Sequence, residues 1–455
     1  MFLRRVQVPD FRVLKGVDLT FESEFSPRIF PLGSLNGGGK STLLQLIFIL
    51  LSCSGDSDKH FFIKNMLDGY EINQVDTNRK TLAEIELVHE GENINLEFIC
   101  CTNEYMSTKY NVDINELSVL VDDASSLFFE IEELTSNIDG LDLLRKDLTI
   151  TIEFDNLSTT FIKNTVDKKK KYEQKLDSLN IKYKSALEKI NDFFDILPDS
   201  KENNFKFICT WIDENPNLNI IICKYEENLN YKIDDILSLL SKKVYLAAPF
   251  TQVFQFLEQT DTQLLFKEQS QKQAYYAKLE TAKNKLSNLF TYDILSTDYI
   301  ISFVKLALEK DNQQAIKTGQ YGNSYQDVLK ELNSVLGNKK INVDSDLSGV
   351  NFSINKNGAI QKLYPKDLSH GELKRLSIYA WLKYKQIDDS IVLIDEIENA
   401  FHPDWQYQII SDLAEWGASN QYILATHSYE LCQALTPAHV KELEPKLLAA
   451  EQVEN

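Results

Sequence analysis

The stretch Ser34-Leu-Asn-Gly-Gly-Gly-Lys40-Ser41-Thr42 decides the fold. One apolar run, Ile29 to Leu32, precedes it and another, Leu43 to Leu50, follows. Strand, glycine-rich turn, helix is the order in which backbone N–H groups converge on phosphate oxygens beside a helix N-terminus. Asn36, Gly37, Gly38 and Gly39 form the cradle; Lys40 reaches the outer phosphates, and Ser41, followed by Thr42, offers a hydroxyl to Mg²⁺. Ser34 stands where the usual pattern has its first glycine, with Gly33 just before it, so the cradle from Asn36 to Thr42 is intact. The loop predicts a site for ATP and Mg²⁺.

Three distant segments extend it. Ile391-Val-Leu-Ile-Asp395-Glu396 puts two carboxylates at the end of a buried-strand pattern. Asp395 would hold Mg²⁺, and Glu396 would orient and deprotonate an attacking water. In Leu368-Ser-His-Gly-Glu-Leu-Lys-Arg375, Ser369 and Gly371 sit where a helix begins, an anion-binding position. Ser369 with Glu372 also fits a capping box, and both readings hold at once. His427, in Ala425-Thr-His-Ser428, follows a strand from Gln421 and is placed to contact a γ-phosphate.

The bulk properties narrow the class. A chain of 455 residues, 43% hydrophobic, suits a protein of two or three globular domains. No apolar run reaches the ~18 residues of a membrane span, and the N-terminus does not read as a signal peptide. Six scattered cysteines without C-x-x-C pairs indicate buried thiols in a reducing cytoplasm. A net charge of −20 gives DNA contact no support, though a local basic groove stays open.

Along the chain, three strands lead into the loop, and Thr81–His89 with Ile94–Cys100 alternate as a hairpin. Tyr172, Leu176, Leu179, Tyr183, Leu187, Ile190 and Phe194 recur at helical spacing, and a second long helix is expected from Val253 to Phe290. The lysines 168–171 read as a solvated face of the first of these helices. Tyr325–Leu336 reads as a helix, Ile341–Val343 and Val350–Ile354 as strands, and Asn355–Gly358 as a hairpin turn. Ile391–Ile394 and Gln421–Ala425 suit a buried parallel sheet. The expected organisation is an N-terminal lobe over 1–155, a mainly helical insertion over 156–324, and a C-terminal lobe over 325–455.

Together these segments resemble the ABC-type ATPase superfamily. Asn36–Thr42 is similar to Walker A, Ile391–Glu396 to Walker B, His427 to the switch histidine, and Leu368–Glu372 to the LSGGQ signature with His370 in place of one glycine. About 330 residues separate Lys40 from Ser369. That spacing resembles the SMC, RecF and OLD-like branch, and most of all the stand-alone ATPases of restriction-associated and anti-phage systems of the Septu and PARIS kind. The resemblance implies an α/β phosphate-loop head with a mixed sheet, interrupted by the insertion. It implies head-to-tail homodimers or higher homo-oligomers that enclose ATP between Walker A and a partner's signature. Arg12 would lie near the nucleotide, Gln74 is the candidate for the glutamine loop, and Glu398-x-x-x-His402-Pro403-x-x-Gln406 would make dimer contacts. With about 30 residues after His427, any nuclease would be a separate effector protein. The expected function is ATP binding and hydrolysis controlling that effector; the alternatives are a RecF/Rad50-like repair ATPase and a nucleotide-gated scaffold with negligible turnover.

Overall fold

Two six-stranded sheets enclose the helix that follows the phosphate loop. The computed structural model describes residues 1–34, 37–67, 69–70, 72, 78–110, 157–196, 204–212, 218–226, 229–250, 252, 256–257, 278–292, 297–344, 349–356 and 358–443, with scattered residues between 116 and 141. Asn36 and Gln74 lie outside the described residues.

The first sheet is antiparallel, in the order β2 (Leu14–Thr20), β1 (Phe2–Phe11), β4 (Arg79–His89), β5 (Glu92–Thr102), β7 (Leu218–Tyr225) and β6 (Phe205–Ile212). The β4–β5 hairpin closes through Glu90 and Gly91, both at positive φ, as a tight two-residue turn requires.

The second sheet is parallel throughout. Its order is β15 (Lys441–Glu442), β3 (Ile29–Gly33), β14 (Gln421–Ala425), β13 (Ile391–Asp395), β8 (Val244–Ala248) and β9 (Leu289–Thr291). Every residue of β8, β13 and β14 is buried, which accounts for their continuous apolar sequence.

The phosphate-loop helix, Lys40–Cys53, is apolar around most of its circumference and has twelve buried residues. Such a helix needs cover on all sides, and it shares one core with strands of both sheets. Gln421 joins the sheets directly: its side chain accepts from Leu3 N at 2.7 Å and donates to Leu3 O at 2.8 Å. The opposite face of the parallel sheet carries helices Thr297–Thr318, Ser324–Leu336, Pro403–Trp416 and the signature helix His370–Tyr384. There Trp381, fully buried, stacks on Phe290 with ring centres 4.9 Å apart. A smaller three-stranded sheet, β10 (Lys339–Val343), β11 (Val350–Lys356) and β12 (Ala359–Leu363), leads into the signature helix.

The middle of the chain differs from its sequence reading. Leu157–Ile196 is one helix, as its spacing predicts. Yet β6 and β7 complete the antiparallel sheet, while β8 and β9 complete the parallel one. A five-residue apolar run such as Val244–Ala248 has no diagnostic period. It becomes a strand because β13 offers it a parallel edge. In the expected helix from Val253 to Phe290, residues 278–285 are helical and Leu289–Thr291 is a strand; residues 258–277 lie outside the described residues. Among the described residues no helix is long and apolar enough to cross a membrane.

Candidate functional site

The carboxyl ends of β3, β14, β13 and β8 lie side by side, the crevice where open α/β sheets hold ligands. The phosphate loop leaves β3. Gly39 caps its helix at φ +93°, and a Cβ there would stand 2.6 Å from the Leu14 side chain, so only glycine fits under the β1–β2 turn. Lys40, a buried residue, donates to Ser34 O at 3.3 Å and Ser34 Oγ at 3.0 Å. Its ammonium also lies 3.0 Å from His427 Nε2. Two residues at opposite ends of the chain thus meet at the point where phosphate charge is expected. Burial holds the Lys40 ammonium below its ordinary range, against the pull of Glu398, Asp395 and Glu396.

Asp395 ends β13 and accepts hydrogen bonds from the side chains of Ser41 and Gln252. Burial, with Glu396 and Glu398 nearby, pushes its carboxyl up to about 6. Its Oδ2 is buried and has no hydrogen-bond partner among the described residues. Gln252 follows β8 and in turn accepts from Gln45 Nε2 of the phosphate-loop helix at 2.6 Å. An orphaned carboxylate oxygen among hydroxyl and amide oxygens is the hard donor set that Mg²⁺ takes, with water and phosphate completing the shell. Among the described residues no cluster of three or more His, Cys, Asp or Glu would bind a metal by side chains alone.

Gln252 was not legible in the sequence. It belongs to no recognisable spacing, and only the parallel pairing of β8 with β13 carries it to Asp395. The available signal was the short apolar run Val244–Ala248 followed by Pro249.

Glu396 opens a tight turn at φ +51°, its N–H donating to Ala425 O at 3.0 Å. Asn399 Nδ2 holds the Glu396 carboxylate at 2.6 Å. Glu398 accepts from His427 N at 2.6 Å, and Gln406 takes Ser428 Oγ at 2.6 Å while donating to Phe401 O at 3.0 Å. The turn after β13 and the loop after β14 are therefore tied together. Gln406, expected at a dimer contact, makes these bonds within the chain; His402 is the exposed N-cap of the next helix.

Ser369 caps the signature helix. Its Oγ accepts from Glu372 N at 3.2 Å, its N–H donates to Glu372 Oε2 at 2.9 Å, and Lys339 reaches the same carboxylate at 2.6 Å. These bonds do not involve the phosphate loop. Gly371 meets the turn after β13 instead: a Cβ there would lie 2.6 Å from Ala400 O. Arg12, on the β1–β2 turn, donates to Met66 O at 2.7 Å.

Residues 242–433 match the family described as an AAA domain, putative AbiEii toxin, Type IV TA system. That segment is similar to this AAA-type domain over 192 of the chain's 455 residues. It contains Gln252, Ser369, Asp395, Glu396 and His427, and the fold adds Lys40 and Ser41 to it from outside the matched residues. No curated protein matches the chain. Among solved structures, the SMC head domain from Thermotoga maritima aligns at 11% identity over 96% of this chain and 93% of its own, with TM-score 0.38. An Smc head domain with an extended coiled coil, bound to the C-terminal domain of ScpA and derived from Pyrococcus furiosus, aligns at 10% identity over 100% of both chains, with TM-score 0.32. A third, an SmcHead bound to the C-winged helix domain of ScpA, gives 8%, 95% and 92%, with TM-score 0.37.

Proposed function

We propose that this protein binds and hydrolyses ATP with Mg²⁺, and that nucleotide-dependent pairing of two copies controls a separate effector protein. The observation that carries the reading is the meeting of Lys40, Ser41, Gln252, Asp395 and His427 at the ends of four parallel strands. Phosphate oxygens would replace the Ser34 and His427 contacts of Lys40. Ser41, Asp395 and Gln252 would hold Mg²⁺, which neutralises phosphate charge. Glu396, aimed by Asn399, would hold a water and accept its proton. His427 would contact the terminal phosphate from beside Lys40. Ser369 and Gly371 would face the nucleotide of a second copy, and Arg12 is a further nucleotide contact. The effector reading is supported by the toxin–antitoxin description of the matched family and by an acidic chain that favours a protein partner over nucleic acid.

The test is ATP turnover and light scattering on the purified protein. Glu396→Gln should keep ATP affinity within about threefold, lower turnover about 1,000-fold, and accumulate an ATP-dependent dimer. A protein that binds no ATP, or a Glu396→Gln variant that turns over normally, refutes the hydrolytic reading. A variant that binds ATP and stays monomeric refutes the pairing alone.

A further inference from the structure

Lys374 lies in the second turn of the signature helix and is almost completely buried, 7% exposed. Among the described residues its ammonium makes no ion pair. It donates to Glu396 O at 2.9 Å and to Asn399 O at 3.1 Å. The Tyr292 ring covers it at 3.8 Å, and the Phe401 ring lies at 5.4 Å. Both carbonyls belong to the turn that carries the Glu396 carboxylate and its Asn399 holder. That turn needs outside support, because Glu396 and Ala400, neither of them glycine, adopt φ +51° and φ +70°. Its front end is pinned by the bond from Glu396 N to Ala425 O. Behind it, Gln406 donates to Phe401 O at the turn's end, and Lys374 reaches the carbonyls of Glu396 and Asn399 from the signature helix.

A buried ammonium is costly where an amide could make the same two bonds. The surrounding charge gives a reason for it: Glu398, Glu396 and Asp395 all act on Lys374 and offset part of the burial that draws it down to about 7.

We infer that Lys374 is the positioning residue for Glu396, fixing the backbone of its turn from the signature helix. A change at the N-terminus of this helix is thereby felt at Glu396. The inference rests on Glu396 acting in hydrolysis, and its test has a part that does not. Lys374→Met keeps the stem and removes the donors. Hydrogen–deuterium exchange on the nucleotide-free protein should show at least tenfold faster exchange at residues 396–401, with residues 376–384 unchanged. In turnover assays kcat should fall at least tenfold, with ATP affinity within twofold. Lys374→Arg should recover part of the loss, since a cavity of about 170 Å³ beside Lys374, Tyr292 and Asn399 leaves room for the larger head.

Unchanged exchange in the 396–401 turn overturns the inference whether or not the protein hydrolyses ATP. Faster exchange with an unchanged kcat overturns the link to Glu396. If Glu396→Gln is also without effect, it is the hydrolytic reading that has failed.

Discussion

The two helices that begin at this site satisfy their free N–H groups in opposite ways. The phosphate-loop helix has a left-handed glycine as its cap, no side-chain cap and no acid in its first turn. Its leading donors and its dipole are left for an external anion. The signature helix is closed on itself: Ser369 and Glu372 cap each other, and Lys339 neutralises Glu372. Under the proposed function, one terminus is ready for phosphate in its resting form, and the other would become so once Ser369 turned away from Glu372. In the proposed pairing, this difference would let a single chain hold a nucleotide before a second copy engages.

The contrast can be broken in order of effect. Lys40→Ala should weaken ATP binding about 100-fold, the loss of strong charge-assisted bonds at the open terminus; titration with a fluorescent ATP analogue reads it, and a change below threefold would mean the open helix end binds without its lysine.

The far end of the same helix gives the next test. There His60, a buried residue, lies 3.3 Å from Ser54 O, and burial draws its imidazole down to about 4. The unfolded chain takes up this proton near 6.5, the folded chain only near 4. Stability is therefore complete above pH 6.5 and falls by about 3 kcal/mol as pH drops to 4. Urea denaturation of His60→Gln against the parent should show that pH-dependent gap narrowing; identical pH profiles would place the acid sensitivity elsewhere.

At the closed terminus the effects are smaller. Gly371→Ala drives a methyl to 2.6 Å from Ala400 O and should cost about 2 kcal/mol in thermal unfolding. Ser369→Ala removes one cap and should cost about 1 kcal/mol. If Ser369→Ala were neutral in the nucleotide-free protein, the self-capped description would be wrong.

The sequence reveals the two termini unequally. The open one is written in Gly37 to Thr42, because a loop that wraps phosphate with backbone N–H groups needs glycines at fixed offsets. The pairs Ser369–Glu372 and Asp395–Glu396 and the lone His427 are legible for related reasons: each chemistry needs particular side chains at an element's end. The β4–β5 hairpin and the long helix Leu157–Ile196 follow from simple periodicities of two and of three to four. What stays hidden is whatever depends on distant backbone pairing. Phe205–Ile212, Leu218–Tyr225 and Val244–Ala248 are apolar runs whose partners are set by tertiary contact. Gln252 and Lys374 inherit that obscurity, since a glutamine after a short strand and a lysine inside a helix look like ordinary solvent-facing residues until their neighbours are placed.

The strand order has a consequence for the birth of the molecule. β3, which launches the phosphate loop, pairs with β14 and β15 and with no other strand among the described residues. On a ribosome it therefore waits for about 390 further residues before either neighbour exists. Meanwhile Ile29–Leu32 and the apolar face of Leu43–Leu51 have no parallel sheet to join, and at about 5–20 residues per second that interval lasts tens of seconds. A nascent chain stalled anywhere before Gln421 carries the phosphate-loop sequence without the strand that pairs beside β3. Fragments ending there should aggregate or be held by chaperones rather than bind ATP.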